Sequence, residues 1–325
     1  MKYQFRFSVF TATRNRAGML YQLYQDLKAQ TYKDFEWVVV NDGSCDNTDE
    51  VIKSIQKEDV LHIQYVSLIG EGKHSAWRAA TPLFRGRYVV TADDDDHITT
   101  DMLTVFDKHW KRLEQSSEYD VFWEVRSRCK KNDGSLVGKA LPSKEYDSDY
   151  NTISYKMKVY CEMVGCRKVE VLRNEASVPE YFPFMKDASN FAEVIRWSRA
   201  ARKYKTRFVS DVTRTYCETP ESLSSNAFNR CMSGDKKIIA NKMVEFYYVL
   251  LEQKDLLLKY DKRRYIKNLL GYSLLIGLYD NPYNVFGDLT FSQKNILRIL
   301  IPLAKLAIRC KKKYEKYKQY NSNFT

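Results

Sequence analysis

Short apolar runs that stop abruptly at polar residues recur through the first 110 residues, separated by segments of helical period. FRFSVFTAT (5–13), DFEWVVVNDGS (34–44), HIQYVSLI (62–69) and GRYVVTADDDD (86–96) read as strands. Between the first two, AGMLYQLYQDLKAQ (17–30) places Met19, Leu20, Leu23, Tyr24 and Leu27 on one helical face. NTDEVIKSIQKE (47–58) predicts a short helix capped by Asn47 or Thr48, and KHSAWRAATPLF (73–84) a helix that tolerates Pro82 near its end. Thr99 or Thr100 is the expected cap of DMLTVFDKHWKRLEQ (101–115). This βαβαβαβ order with continuous apolar strands implies an α/β fold around a central, mostly parallel sheet covered by helices on both faces. In such sheets ligands sit outside the carboxyl ends of the strands. Three strands end there in polar residues, namely Thr13-Arg14-Asn15, Asn41-Asp42-Gly43-Ser44 and Asp93 to Asp96, so segments distant in sequence converge on one rim.

The 325 residues are 44% hydrophobic and 14% aromatic, enough for a large core, and the net charge of +12 favours an anionic partner. The seven cysteines (45, 129, 161, 166, 217, 231 and 310) are scattered without a C-x-x-C pair, and only four histidines are present. Zinc and a disulfide framework are therefore not expected. The opening MKYQFRFSVFTATRNR lacks the long apolar stretch of a signal peptide and reads as a first strand. The expected location is cytoplasmic, including the cytoplasmic face of the inner membrane.

Past residue 110 the pattern loosens. YDVFWEVRSRCK (119–130) and YKMKVYCEMVG (155–165) read as strands of antiparallel type, SNFAEVIRWSRAARKYK (189–205) as a helix, and TRFVSDVTRTYCE (206–218) as a strand pair or a bent strand. From about 228 the chain is helical and basic, with helices expected over 236–257, 263–279 and 293–320. The expected organisation is a catalytic domain over 1–225, with halves 1–110 and 111–225, followed by a basic helical region over 226–325. No window reaches the roughly 18–20 apolar residues of a membrane-spanning helix. ILRILIPLAKLAIRCKKKYEKYK (296–318) suits an interfacial helix on anionic lipid or a helical cap on the catalytic domain, and both readings stand.

Four clusters bear on chemistry. In DDDD (93–96) adjacent carboxylates repel by roughly 1 kcal/mol in water at about 4 Å, and a divalent cation reverses the sign. Asp93 and Asp95 share a face if the segment is extended, whereas a solvated acidic turn ahead of a helix is the plain alternative. Asp42 at a strand end, followed by Gly43, can accept hydrogen bonds from a base or ribose, or simply close a turn. Gly70, Gly72, Lys73, His74 and Arg78 combine close backbone approach with positive groups near a helix start, suited to diphosphate, though the spacing is not that of a Walker loop. Glu193 beside Phe191, Val194 and Trp197 is placed to be a base of raised pKa, or a glutamate favoured by the helix dipole.

Taken together these stretches carry a resemblance. FTATRNRAGMLYQLYQDLKAQTYKDFEWVVVNDGSCDNT resembles the opening of family 2 glycosyltransferases, GKHSAWRAA their G-K-H-x-A-x-N helix, and GRYVVTADDDD their strand ending in D-x-D-D. The similarity is strong over 7–110 and weaker to about 225, where ETPESLSS resembles a closing loop. The resemblance implies the GT-A nucleotide-diphospho-sugar transferase fold. It also implies transfer of a sugar, most simply from a UDP-sugar, to a glycan or lipid-linked acceptor with inversion, as in cell-surface polysaccharide or lipopolysaccharide synthesis. By matching position it assigns Thr11, Thr13, Arg14 and Arg16 to the nucleotide and Asp42 to the base. Lys73, His74 and Arg78 fall to the base or diphosphate, Asp93 to ribose, and Asp94 and Asp96 to the donor. Asp95 is assigned to Mn²⁺ or Mg²⁺ and Glu193 to the general base. Arg14, Asn41 and Arg78 depart from the tyrosine, aspartate and asparagine of the family pattern.

Two rival readings follow from the residues. A nucleotidyltransferase acting on sugar phosphates also uses a sheet, carboxylates and Mg²⁺, but TATRNRAG fits its glycine-rich loop poorly. Nucleic-acid binding, suggested by a pI near 9.1, is opposed by the acidic rim and by the absence of RRM, KH or zinc-finger patterns, so nucleic acid is not an expected partner.

Overall fold

The structure is a computed structural model that describes residues 3–159, 161–174, 194–217, 235–278 and 285–322, with side chains to 310. These fall into two compact units, one within residues 1–219 and the other over 235–322.

In the first unit the expected alternation is present: β1 (Phe5–Thr13), α1 (Ala17–Lys28), β2 (Phe35–Asp42), α2 (Thr48–Glu58), β3 (His62–Leu68), α3 (Lys73–Ala80), β4 (Gly86–Thr91) and α4 (Met102–Glu114). Pro82 lies in a 3₁₀ turn over Thr81–Leu83 that closes α3, where its missing N–H interrupts no α-helical bond. The residue preceding α4 is Asp101 rather than Thr99 or Thr100, because Thr99 offers its main-chain carbonyl to Met102 N instead of a side-chain cap.

Strands β3, β2, β1 and β4 run parallel in that order. The sheet then changes character. β8 (Met163–Lys168) is antiparallel to both β4 and β6 (Phe122–Lys130), and β9 (Lys205–Thr215) returns parallel to β6. Two short strands, β5 (His97–Ile98) and β7 (Glu145–Ser148), pair antiparallel with β9. The sheet is thus parallel in its first half and mixed beyond. The expected strand over 155–165 starts only at Met163, after a π-helical turn over Thr152–Lys156. Where a strand pair or bent strand is expected over 206–218, β9 is one long strand that ends at Thr215 and whose register against β6 shifts twice past Arg126.

Side-chain alternation divides the core in two. Phe7 and Val9 of β1, Trp37 and Val39 of β2, and Tyr88 and Val90 of β4 face α1, α2 and α4. Phe10, Val38 and Val89 face the opposite side, with Ala76 and Trp77 of α3, Leu172 of α5 (Val169–Asn174) and Ala200 of α6 (Val194–Ala200). Two-sided burial is why these strands are apolar without alternation. One buried charge interrupts the pattern. Glu36 is 1% exposed and accepts from Ser8 Oγ at 2.6 Å, Gln64 Nε2 at 2.7 Å and Arg85 N at 2.6 Å, so its oxygens are satisfied.

The second unit is helical: α7 (Lys236–Glu252), α8 (Lys254–Tyr260), α9 (Lys262–Leu278) and α10 (Phe291–Ser322), with α9 packed on both α7 and α10. No described helix is long and apolar enough to cross a membrane. Along α10, Ile296, Ile299, Leu303 and Leu306 are exposed and share one helical face by their spacing of three and four.

Candidate functional site

The loops that leave the carboxyl ends of β1 to β4 are laced to one another. Asn15, at φ 54°, takes Ser44 Oγ on its N–H at 2.9 Å and accepts Cys45 N on Oδ1 at 2.7 Å. Asp46 accepts Ala17 N at the start of α1. Gly43, at φ +73°, approaches so closely that a Cβ there would stand 2.6 Å from Gly70 N, and the Arg14 guanidinium lies over Gly70. Asn41 donates to Asp49 Oδ1 at 3.0 Å and accepts Ser44 N on its own oxygen. An aspartate at 41 would face Asp49 as a like charge, which gives a local reason for asparagine there.

The quartet after β4 is a turn, and its carboxylates separate by exposure. Side chains of Asp93 and Asp95 are 27% and 25% exposed, against 1% and 3% for Asp94 and Asp96. Each is met by a cation. Lys73 Nζ donates to Asp93 Oδ1 at 2.8 Å, and Arg16 Nη1 to Asp94 Oδ1 at 2.8 Å and Asp95 Oδ2 at 2.9 Å. Arg214 on β9 reaches Asp93 Oδ2 at 3.3 Å and Asp96 Oδ2 at 3.0 Å. Burial by itself would raise the Asp93 carboxyl, but Lys73 and Arg214 overcome it and hold it at about 2. For Asp96 burial outweighs Arg214 and the Cys217 N–H, and the carboxyl rises to about 6. Asp94 is also raised by burial, against the pull of Thr13 and Arg16.

The other sequence-predicted residues take differing places. Thr11 is turned into the sheet, donating to Ala92 O at 2.8 Å and accepting from Trp37 Nε1 at 3.0 Å, so its hydroxyl is occupied there. Asp42 accepts Gly72 N on both oxygens, at 2.9 and 2.8 Å, and so fixes the loop before α3. Arg78 lies in the last turn of α3 and is exposed, about 7.5 Å along the axis from Lys73. Thr13 is buried, and Arg14 is exposed at the rim. Glu193, the candidate base, lies outside the described residues.

The sequence reading missed Arg214 and Arg196. Arg214 is 4% exposed and also donates to Cys129 Sγ at 3.2 Å and to Glu162 Oε1 at 2.7 Å. Nothing in the mixed polar strand KTRFVSDVTRT singles it out, and it lies 121 residues from Asp93. Beyond Glu162 opens a cavity of about 450 Å³, lined among others by Arg126, Tyr150, Trp197 and Tyr216. Arg196 Nη2 donates to His74 Nδ1 at 3.2 Å, and the imidazole is 8% exposed.

Residues 8–163 match the family described as glycosyl transferase family 2. Over 93 residues the chain is 28% identical to the UDP-Glc:alpha-D-GlcNAc-diphosphoundecaprenol beta-1,3-glucosyltransferase WfaP of Escherichia coli, covering 29% of this chain and 36% of that one. Over 104 residues it is 29% identical to the GalNAc(5)-diNAcBac-PP-undecaprenol beta-1,3-glucosyltransferase of Campylobacter jejuni, covering 30% and 32%. The aligned segments span between 13% and 36% of the curated relatives they match. In fold, the chain is similar to S. aureus TarS 1–349 in complex with UDP-GlcNAc, with TM-score 0.52 and 13% identity over 97% of this chain and 92% of that one. The mannosyltransferase PcManGT from Pyrobaculum calidifontis, in complex with GDP-Man and Mn²⁺, gives TM-score 0.52 and 15% identity over 97% and 85%. These two likenesses establish the GT-A type of fold. Neither rival reading draws support from the comparisons.

The His74 environment has a measurable consequence. Burial, then Arg196 and Arg78, hold the imidazole down at about 3, from 6.5 in the unfolded chain. The folded state therefore binds fewer protons below pH 6.5, and stability falls as pH drops from there toward 3. Between pH 7 and 4.5 the wild type should lose on the order of 2 kcal/mol more than His74→Gln, read from urea midpoints. Parallel pH profiles would remove this assignment.

Proposed function

We propose, from the match of residues 8–163 to glycosyl transferase family 2, that the chain transfers a sugar from a nucleotide-diphosphate donor to an acceptor hydroxyl. The observation that carries the reading is the sorting of the acidic quartet: two carboxylates open to the rim, two buried beneath, with Lys73, Arg16 and Arg214 among them. An acidic and basic rim of this kind suits a diphosphate and its counter-ion. UDP is the proposed nucleotide, in keeping with the UDP-sugar names of the E. coli relative and the TarS complex. The proposed acceptor is a lipid-linked sugar or glycan of a surface polysaccharide, since both relatives are named for undecaprenol-linked substrates.

Asp93 and Asp95 offer the hard oxygens that Mg²⁺ or Mn²⁺ takes. Among the described residues no three His, Cys, Asp or Glu groups gather as a complete cage, so diphosphate oxygens and water would fill the remaining positions. When bound, such an ion supplies Lewis-acid stabilisation of the departing diphosphate. Lys73 and Arg16, now on these carboxylates, are the chain's own cations at the same rim and would turn to phosphate oxygens. The acceptor hydroxyl attacks the anomeric carbon as the bond to the diphosphate breaks. Its proton passes to Glu193, a role assigned by resemblance alone, and the single displacement inverts the anomeric centre.

The basic helices are proposed to hold the enzyme on anionic lipid. The exposed stripe of α10 is followed by the lysine-rich KKKYEKYK (311–318), the pairing an interfacial helix uses.

Asp95→Asn should abolish the Mn²⁺-dependent thermal shift given by UDP-sugars, and an undiminished shift would remove Asp95 from the donor site. Glu193→Gln should lower turnover by about 10²–10⁴-fold with UDP binding retained. Full activity in that variant would rule out the base. On vesicles, Ile299→Ser/Leu303→Ser should shed most protein from phosphatidylglycerol-containing bilayers in sedimentation. Equal binding by the double variant, or none by wild type, would exclude this surface.

A further inference from the structure

Arg126 of β6 forms part of the wall of the 450 Å³ cavity, and its side chain is only 6% exposed. Its Nε donates to Glu124 Oε1 at 3.1 Å. Glu124, itself fully buried, also stands 2.8 Å from Arg167 Nε, so one carboxylate serves two guanidinium groups. Gly165 leaves the space for that cluster, since a Cβ there would stand 2.3 Å from Glu124 Oε1. Among the described residues the two terminal amino groups of Arg126 meet no hydrogen-bond acceptor. Its remaining contacts are ring faces, Trp197 at 4.1 Å and Tyr150 at 5.5 Å, and both rings line the same cavity. The other acid on the wall, Glu162, is turned to Arg214.

A buried cation short of acceptors is unfavourable for folding alone. Stacking on Trp197 holds the guanidinium plane in place but leaves its outer donors open to the cavity, with no protein acceptor among the described residues. Those donors suit the two oxygens of a carboxylate or phosphate. The cavity volume lies within the range of small-molecule sites, about 300–1,000 Å³. It adjoins the acidic rim through Glu162, Arg214 and Asp93, placed at 2.7 and 3.3 Å along that path.

We propose that this cavity receives the acceptor saccharide and that Arg126 selects an acceptor bearing an anionic group, a carboxylate or a phosphate. This rests on the sugar-transfer reading of the rim. Arg126 is a specificity residue here: the anion docks on its terminal amino groups, and the walls of Ile153, Met163, Phe208 and Tyr216 leave room for the apolar face of a ring.

The test is titration of the full chain with four probes, glucuronate against glucose and glycerol 1-phosphate against glycerol, followed by Trp fluorescence and ligand-observed NMR. At least one acid should bind about tenfold or more tightly than its neutral counterpart, and which acid does so separates carboxylate from phosphate recognition. That preference should vanish in Arg126→Gln and survive in part in Arg126→Lys. Equal binding of acid and neutral probes by wild type overturns the proposal, and this arm needs no variant to fold. An acid preference that persists in Arg126→Gln overturns it as well. UDP with Mn²⁺, titrated in the same samples, tests the donor reading separately. A chain that binds the acid but never UDP keeps the anion site and loses sugar transfer, whereas one that binds UDP without acid preference does the reverse.

Discussion

The structure of the rim depends on charge compensation within the acidic quartet. Four adjacent aspartates at the end of a buried strand would repel one another strongly as the local dielectric falls. Here cations from three separate elements enter among them: Arg16 from the start of α1, Lys73 from α3 and Arg214 from β9. All three lie at least 20 residues from the quartet in sequence, so the compensation draws together the start of α1, α3 and β9.

That compensation also sorts the four carboxylates chemically. Asp93, half-open and paired with Lys73, is held at about 2 and stays ionised throughout the physiological range. Asp96 is buried and pushed up to about 6 despite Arg214 and the Cys217 N–H. Identical side chains within four residues thus acquire different proton affinities, and the difference comes from burial and neighbours rather than from residue type. The open pair faces the place where the loops of β1 to β4 converge, while the buried pair anchors the turn to Arg16 and β9.

The second half of the sheet contributes a different kind of surface. Arg126, Arg167 and Arg196 lie close to Trp77 and Trp197, with Glu124 the acid shared by the first two. Ring faces carry part of the burden that carboxylates carry at the rim, which leaves the terminal amino groups of Arg126 beside the cavity. The rim and the cavity meet at Arg214, which touches Asp93, Asp96 and Glu162. The acidic rim and the cavity are thus continuous within one unit.

Most of the first half of this unit was legible from the chain. Apolar runs and helices repeating at 3.6 residues place β1 to β4 within FRFSVFTAT, DFEWVVVNDGS, HIQYVSLI and GRYVVTADDDD, although β4 stops at Thr91 and the expected extension through Asp96 is a turn. The convergence of Arg14 to Arg16, Asp42 and Asp93 to Asp96 followed from parallel topology alone. What the chain could not disclose were partners joined only by folding. Thr11 and Asp42 read as ligand groups, yet an inward hydroxyl and a loop-closing carboxylate are decided by Trp37, Ala92 and Gly72, which local pattern does not connect to them. The antiparallel character of β8 was expected, but its place between β4 and β6, and with it the arrival of Arg214 beside Asp93 and of Arg126 beside Trp197, depends on pairings between residues far apart in sequence. Periodicity records which face of an element is buried, whereas the identity of its neighbour is a long-range choice made by packing.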